Sequence, residues 1–349
     1  MFHISSKMNE TKFKAIDLFA GIGGMRLGFE KAGFGIVYAN DFDPDSCRTY
    51  RANFGEIDER DIKDVETGSL PDFDVLLGGF PCQPFSMIGK KKGLDDERAK
   101  SFFHIIRFLT AKQPKAFVLE NVKHLQRYEG GAVYARIKKA LEWAGYKVKE
   151  AVLNSKDFGV PQNRERLYMV GLLDHSLDFR FPRPTRKKPF LSQILESDVD
   201  EFYYLTERYY RGLLKHKKRQ AKSGNGFGCA VLDVQGISNT LVAGNMGRER
   251  NLIRDRANKK NRWGIRRLTI RECAGLQGFP KRFKFPVSVT KSYVQLGNAV
   301  TVNVGKSVAI SLRNLLVKPT RYREEKVLFS ASAAPSEFAP GKLQKATAT

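Results

Sequence analysis

From Lys14 to about Leu172, short apolar runs alternate with stretches whose apolar positions recur at helical spacing. Ala15–Phe19, Ile36–Ala39, Phe73–Leu77, Ala116–Leu119, Tyr146–Leu153 and Arg166–Leu172 read as strands, being short and rich in β-branched and aromatic residues. Between them, Met25–Ala32, Pro44–Asn53, Ala99–Thr110 and Ala132–Trp143 read as helices. Phe102, Phe103, Ile106 and Leu109 share one face of the third, and Pro44 suits the first turn of the second. Strands alternating with helices over short connections predict an α/β sheet covered on both faces. Such sheets bind ligands at the carboxyl ends of their strands. Two small-residue loops, Ala20–Gly24 and Gly79–Ser86, stand at such ends.

The rhythm stops at Phe181-Pro182-Arg183-Pro184. From there to about Arg262 the chain is basic and Gly-rich, with no clear βα alternation, and reads as a second domain. Within it, Ser223–Gly228 and Gly244–Arg250 read as exposed loops. Order returns after Arg267, where Thr269 and Glu272 have the spacing of a capping box. A last apolar helix runs from about Ala299 to Leu316, with Asn298 as its candidate N-cap. Beyond Lys318 the low-complexity tail reads as disordered.

Charge narrows the choice of partner. Sixty-one Lys and Arg against 37 Asp and Glu give a net charge of +24, with the cations dense between Arg183 and Arg271. Such an excess points to a polyanion, and most economically to nucleic acid. The four cysteines (Cys47, Cys82, Cys229, Cys273) form no C-x-x-C pair, which argues against a zinc site or disulfide framework and fits a reducing cytosol. No apolar run approaches membrane-spanning length, and Met1–Lys14 lacks the apolar stretch of a signal peptide.

Several segments carry candidate chemistry. In Gly79-Phe80-Pro81-Cys82-Gln83-Pro84-Phe85-Ser86 two prolines hold one thiol in a fixed pose just past a strand, as a nucleophile requires; the plainer reading is a tight turn. Asp17-Leu18-Phe19-Ala20-Gly21-Ile22-Gly23-Gly24 passes from a strand through a Gly-rich turn into a helix, where backbone N–H groups can meet a ligand; alone it is also a plain βα turn. The second strand ends in Asn40-Asp41-Phe42-Asp43, an acid placed to accept from a ribose diol beside an aromatic able to cover a base. Asp61-Ile62 forms a further turn that can reach the same base. Glu120, late in an apolar strand, is placed for a desolvated, proton-donating carboxyl, or for a cap or ion pair. Arg164 and Arg166, two apart on an extended segment, face one side and can orient an acid and a substrate carbonyl, or form a surface cluster.

Taken in order, Asp-Leu-Phe-Ala-Gly-x-Gly-Gly, Gly-Phe-Pro-Cys-Gln-x-Phe-Ser, Glu-Asn-Val, Gln-x-Arg-x-Arg, Arg-Glu-Cys-Ala-x-x-Gln-Gly-Phe-Pro and Gly-Asn-Ala-Val resemble the bacterial C5-cytosine DNA methyltransferases of restriction–modification systems. The resemblance spans about Lys14 to Leu316. It implies a Rossmann-like S-adenosylmethionine-dependent methyltransferase fold with a mostly parallel sheet and a small target-recognition domain. The implied division is a core over 14–183, recognition over 184–262, a return to the core over 263–317 and a tail over 318–349. For S-adenosylmethionine it implies a pocket lined by Phe19, Gly21, Ile22 and Gly23, with Asp41 on the ribose and Phe42 on the adenine. Asp61 and Ile62 would meet the adenine edge, while Pro81, Asn298 and Ala299 close around the methionine end. The ribose acid is often Glu in this family, so Asp41 is a departure. The recognition loops would present Asn225, Phe227, Thr240, Asn245, Arg248 and Arg250 to DNA, with Thr240-Leu241 matching a dipeptide common there.

The chemistry implied by the resemblance is addition of the Cys82 thiolate to C6 of a cytosine rotated out of duplex DNA, so that C5 takes the methyl group. Glu120 would donate a proton to N3, Arg166 would hold O2 and Arg164 would orient its neighbours. Ile88–Gly93, with three lysines, would close over the base. A monomeric, metal-free bacterial cytoplasmic enzyme, nucleoid-associated through its DNA, is the expectation. The alternatives are an RNA C5 methyltransferase on the same scaffold, a catalytically silent DNA-binding protein, and a nicotinamide-dependent oxidoreductase that would rest on the Gly-rich loop alone.

Overall fold

The computed structural model describes residues 13–80, 97–185, 188–224, 228–244, 248–255 and 264–317, without the side chains of 97–100. In chain order its main elements begin with β1 (Phe13–Leu18), α1 (Gly24–Glu30), β2 (Phe34–Asn40), α2 (Pro44–Phe54), β3 (Val75–Gly78), α3 (Glu97–Lys112) and β4 (Ala116–Val122). Then come α4 (Ala132–Trp143), β5 (Lys147–Asn154), β6 (Gln162–Asn163), β7 (Glu165–Leu172), α5 (Glu207–Lys222) and β8 (Ser238–Asn239). The series ends with β9 (Leu252–Arg254), β10 (Ile265–Arg267), α6 (Ile270–Leu276), α7 (Val289–Asn298) and α8 (Val302–Leu316).

A six-stranded sheet is ordered β2-β1-β3-β4-β7-β5. The first four strands are parallel, and β7 runs antiparallel to both β4 and β5. Because side chains alternate across a strand, the two sheet faces feed separate cores. Ile16, Leu18, Leu76, Phe117, Leu119 and Met169 pack with Phe102, Ile106 and Leu109 of α3 and with Ile137 and Leu141 of α4. Ala15, Val75, Leu77, Val118 and Val170 pack with Met25 and Phe29 of α1 and with Val304, Val308 and Leu312 of α8. The expected α/β sheet with helices on both faces is therefore present, and α8 returns to lie beside α1.

Strand direction decides which residues meet at the sheet's carboxyl edge. Parallel strands deliver their carboxyl ends to one edge. A strand running against them delivers its amino end to that same edge, so Arg166 near the start of β7 pairs in register with Val122 at the end of β4.

Two expectations need correction. Asn298 does not cap the last helix; it is the final residue of α7, a separate helix capped by Ser288, which accepts from the Lys291 N–H. The extended backbone at Ala299 breaks the chain there, and α8 begins only after Thr301. The stretch before Arg262 is not without regular structure, since it holds the 16-residue helix α5. Few of that helix's residues are apolar, so its periodicity is hidden among cations. Strands β9 and β10 pair antiparallel.

Candidate active site

The carboxyl edge of the sheet collects the described members of the expected catalytic set. β3 ends in Gly78, and the chain passes through Gly79 and Phe80 before the segment holding Pro81, Cys82 and Ile88–Gly93, which lies outside the described residues. Asn121 pins that exit by donating its side-chain amide to the Phe80 carbonyl at 2.9 Å. On the neighbouring strand Glu120 is buried, and its Oε2 lies 3.9 Å from where a Cβ on Gly79 would stand. Burial pushes the Glu120 carboxyl up from its ordinary value, while Arg166 and Arg164 oppose that shift. The Arg166 Nε meets Glu120 Oε1 at 3.2 Å. The result is a mostly desolvated acid at the mouth of the Cys82 segment, oriented by one guanidinium.

Arg164 takes a different part. It is 1% exposed, and its guanidinium donates to the carbonyls of Leu241, Gly297 and Ala299 at 2.8, 3.0 and 2.9 Å. Burial and the neighbouring Arg166 work against its charge, and Glu120 supports it. Gln162 reinforces this junction: its side chain donates to the Leu276 carbonyl at 2.7 Å and accepts from the Leu241 N–H at 2.8 Å. Gly297 is required here, because a Cβ would fall 2.4 Å from the Ala243 nitrogen. Thus Arg166 faces the acid, while Arg164 fastens the core to the segments on either side of it.

The expected cofactor residues gather at the adjoining strand ends. Phe19 follows β1 with φ 55°, a conformation rare outside glycine, and Gly21 follows with the same φ. The Gly21 N–H donates to Asp41 Oδ2 at 2.8 Å, and the Asp43 N–H donates to Asp41 Oδ1 at 2.9 Å. Phe42 presents a ring that is 66% exposed. Asp61 caps a short 3-10 turn at Ile62–Asp64. The side chains of Ile22, Ile62 and Ala299 are buried in packed cores, which leaves chiefly their backbone for a ligand. Gly23 caps α1 in the left-handed region, and Asn298 is exposed at the end of α7.

Two features fit a cofactor of this kind. A Cβ on Gly21 would meet nothing within 4 Å, so the loop borders open space. Below it, Asp17 is 1% exposed and its Oδ1 has no hydrogen-bond donor among the described residues. Burial pushes this carboxyl up to about 7, partly opposed by Arg26. The sequence places Asp17 within its motif but gives it no role. Asn121 and Gln162 likewise stand within their motifs, Glu-Asn-Val and Gln-x-Arg-x-Arg, with no role assigned.

Of the expected DNA readers, Asn225, Phe227 and Asn245 lie outside the described residues. Thr240 donates its hydroxyl to the Asn163 carbonyl at 2.6 Å, which ties the chain after β8 to β6. Arg248 stacks over Tyr293 at 5.1 Å. Arg250 is half-buried, and its carbonyl accepts from the Asn239 side chain at 2.8 Å. Among the described residues no cluster of His, Cys, Asp and Glu could hold a metal, and no helix is long and apolar enough to cross a membrane.

Comparison with known proteins agrees with this geometry. Residues 13–314 match the C-5 cytosine-specific DNA methylase family. The Type II methyltransferase M.NlaX of Neisseria lactamica is 42% identical over 307 residues, covering 87% of this chain and 97% of that protein. M.HpaII of Haemophilus parainfluenzae, another Type II methyltransferase, is 42% identical over 326 residues, covering 87% and 91%. Among solved structures, the Dnmt2 methyltransferase of S. pombe superposes with a TM-score of 0.72 at 22% identity, covering 87% of this chain and 99% of that one, a likeness of fold. The chain belongs to the C-5 cytosine-specific DNA methylases and is a DNA cytosine-5 methyltransferase.

Proposed function

We propose that this chain transfers a methyl group from S-adenosylmethionine to C5 of a flipped-out cytosine in duplex DNA, as the modification enzyme of a restriction–modification system. The observation that carries the reading is Glu120: buried, raised in pKa, paired with Arg166, and set against Gly79 where the chain leaves for Cys82. The three described cysteines, Cys47, Cys229 and Cys273, are buried, and burial pushes each thiol up, which suits none of them for attack. That leaves Cys82 for the nucleophile.

S-adenosylmethionine, when bound, supplies an electrophilic methyl group. Asp41 would hold its ribose, Phe42 its adenine face, and the backbone from Phe19 to Gly23 the rest, with Asp61, Ile62, Pro81, Asn298 and Ala299 around the edge. The Cys82 thiolate adds to C6 of cytosine, and protonated Glu120 donates to N3, so that the electron pair of the C5–C6 bond becomes available at C5. Arg166 holds O2 and keeps Glu120 aimed. Methyl transfer to C5 would leave S-adenosylhomocysteine; loss of the C5 proton to a base then breaks the C6–S bond, the Cys82 thiolate departs and N3 returns its proton to Glu120, which restores the ring and the enzyme. Unstacking the base costs a few kcal/mol, offset by phosphate contacts. The working division is a core over 14–183 and 263–317 with target recognition over 184–262, acting as a monomer in the bacterial cytoplasm.

A duplex carrying 5-fluorocytosine at the methylated position tests the mechanism, because fluorine cannot leave as a cation. Mass spectrometry should find a covalent adduct through Cys82, and Cys82→Ser should form none while still binding DNA. Methyl label on the exocyclic amine, or full turnover by Cys82→Ser, would overturn the reading.

A further inference from the structure

Helix α5 carries a charge arrangement that the active site does not use. It starts at the Thr206 cap, whose hydroxyl accepts from the Tyr209 N–H at 3.3 Å, and runs from Glu207 to Lys222. Tyr210 and Leu213 bury one face in a small core with Leu205, Cys229, Leu252 and Ile265. Tyr209 adds a tie to the neighbouring loop by donating to Glu249 Oε1 at 3.1 Å. With that face fixed, the rest of the helix is committed in direction.

At about 100° per residue, Arg208, Arg211, Lys215, Lys218, Arg219 and Lys222 fall within an arc of about 100° centred opposite Tyr210 and Leu213. All six are exposed. The single acid of the helix, Glu207, sits at its start and pairs with Arg211 at 2.5 Å. A face that served only solubility would mix signs, as like charges three and four residues apart work against the helix. A one-sign stripe bears that cost. From Arg208 to Lys222 it runs about 21 Å at 1.5 Å per residue. A duplex carries one phosphate per about 1.7 Å of axis over its two strands, so a segment of that length faces several of them.

We propose that α5 is a phosphate-binding helix that grips the sugar-phosphate backbone of duplex DNA without regard to sequence. The proposal rests on the reading that duplex DNA is the substrate. Since α5 is joined through Tyr209 and Glu249 to the segment bearing Arg248 and Arg250, gripping the backbone would hold that segment in register on the duplex.

The test uses the full chain with the six cations changed together to Gln (R208Q, R211Q, K215Q, K218Q, R219Q, K222Q). Affinity is measured against salt on duplexes with and without the methylated site. The slope of log K against log salt should shrink by about 0.9 for each phosphate no longer neutralised, at most about five in all. Affinity for both duplexes should fall at least tenfold, with KM carrying the loss more than kcat. A companion variant with Arg208, Arg211 and Arg219 changed to Lys should keep the wild-type slope, which separates charge from fold. If the Gln variant is poorly folded, the pair K215Q and K218Q should still lower the slope by about two. An unchanged slope in folded variants overturns this proposal, including the case where the stripe serves a protein or RNA. A wild-type chain that fails to methylate duplex DNA overturns the substrate reading instead.

Discussion

Asp17 is buried beneath the Gly-rich loop, with one oxygen accepting from the Arg26 N–H at 3.2 Å and the other without a donor among the described residues. Its carboxyl is pushed up to about 7, so the folded state binds a proton that the unfolded chain releases near its ordinary value of 3.8. The native state therefore holds more protons between these values, and stability falls as pH rises through about 7. A three-unit shift corresponds to about 4 kcal/mol at most. Thermal unfolding midpoints of the ligand-free wild type should drop from pH 5 to pH 8, and Asp17→Asn should flatten that dependence. An equally steep profile in the variant would assign the titration elsewhere. The motif containing Asp17 is legible from residue order, but its burial is not, because nothing local distinguishes a strand acid under a loop from one beside it.

Helix α6 shows how far local rules reach. The spacing of Thr269 and Glu272 announces a capping box, and both of its bonds are present: Glu272 N–H to the Thr269 hydroxyl at 3.1 Å, and Thr269 N–H to Glu272 Oε2 at 2.8 Å. Glu272 does more than cap. Its carboxylate, 0% exposed, takes both arms of the Arg266 guanidinium at 2.8 Å and also accepts from the Glu196 N–H at 2.9 Å. The two substitutions should therefore differ. Thr269→Ala removes one capping bond, at about 1 kcal/mol. Glu272→Ala leaves two arms of the buried Arg266 guanidinium without their acceptor, Asp255 alone still meeting its Nε at 3.1 Å, at about 3 kcal/mol. Urea titration of both variants measures the gap, and equal losses would mean that the ion pair adds nothing beyond the cap. Helix α5 is hidden from the sequence pattern for a related reason: its buried face consists of little more than Tyr210 and Leu213, and tertiary packing defines it.

Three separated stretches of chain meet on Arg164. Its guanidinium donates to carbonyls of Leu241, just past β8, and of Gly297 and Ala299, at the end of α7. A lysine keeps the charge, but its single ammonium cannot span the three acceptors of the planar fork. Arg164→Lys should lower stability by about 2 kcal/mol, the scale of a charged hydrogen bond removed from the interior. The two parts should then unfold less cooperatively, seen as separated transitions for tryptophan fluorescence and far-ultraviolet circular dichroism. Coincident transitions at the wild-type midpoint would show that the junction is held by packing alone.

Strand and helix periodicity, the Gly-rich turns and the ordered motifs determined the α/β core and the roles expected at its strand ends, because these depend on neighbours within a few residues. Tertiary structure alone decided that β7 runs against β4, and with it that Arg166 reaches Glu120 while Arg164 turns away to fasten the segment at Leu241. Two arginines with one residue between them read alike along the chain. What separates them is which buried acceptors the fold brings within hydrogen-bonding distance, and those come from 46 residues upstream in one case and at least 77 downstream in the other.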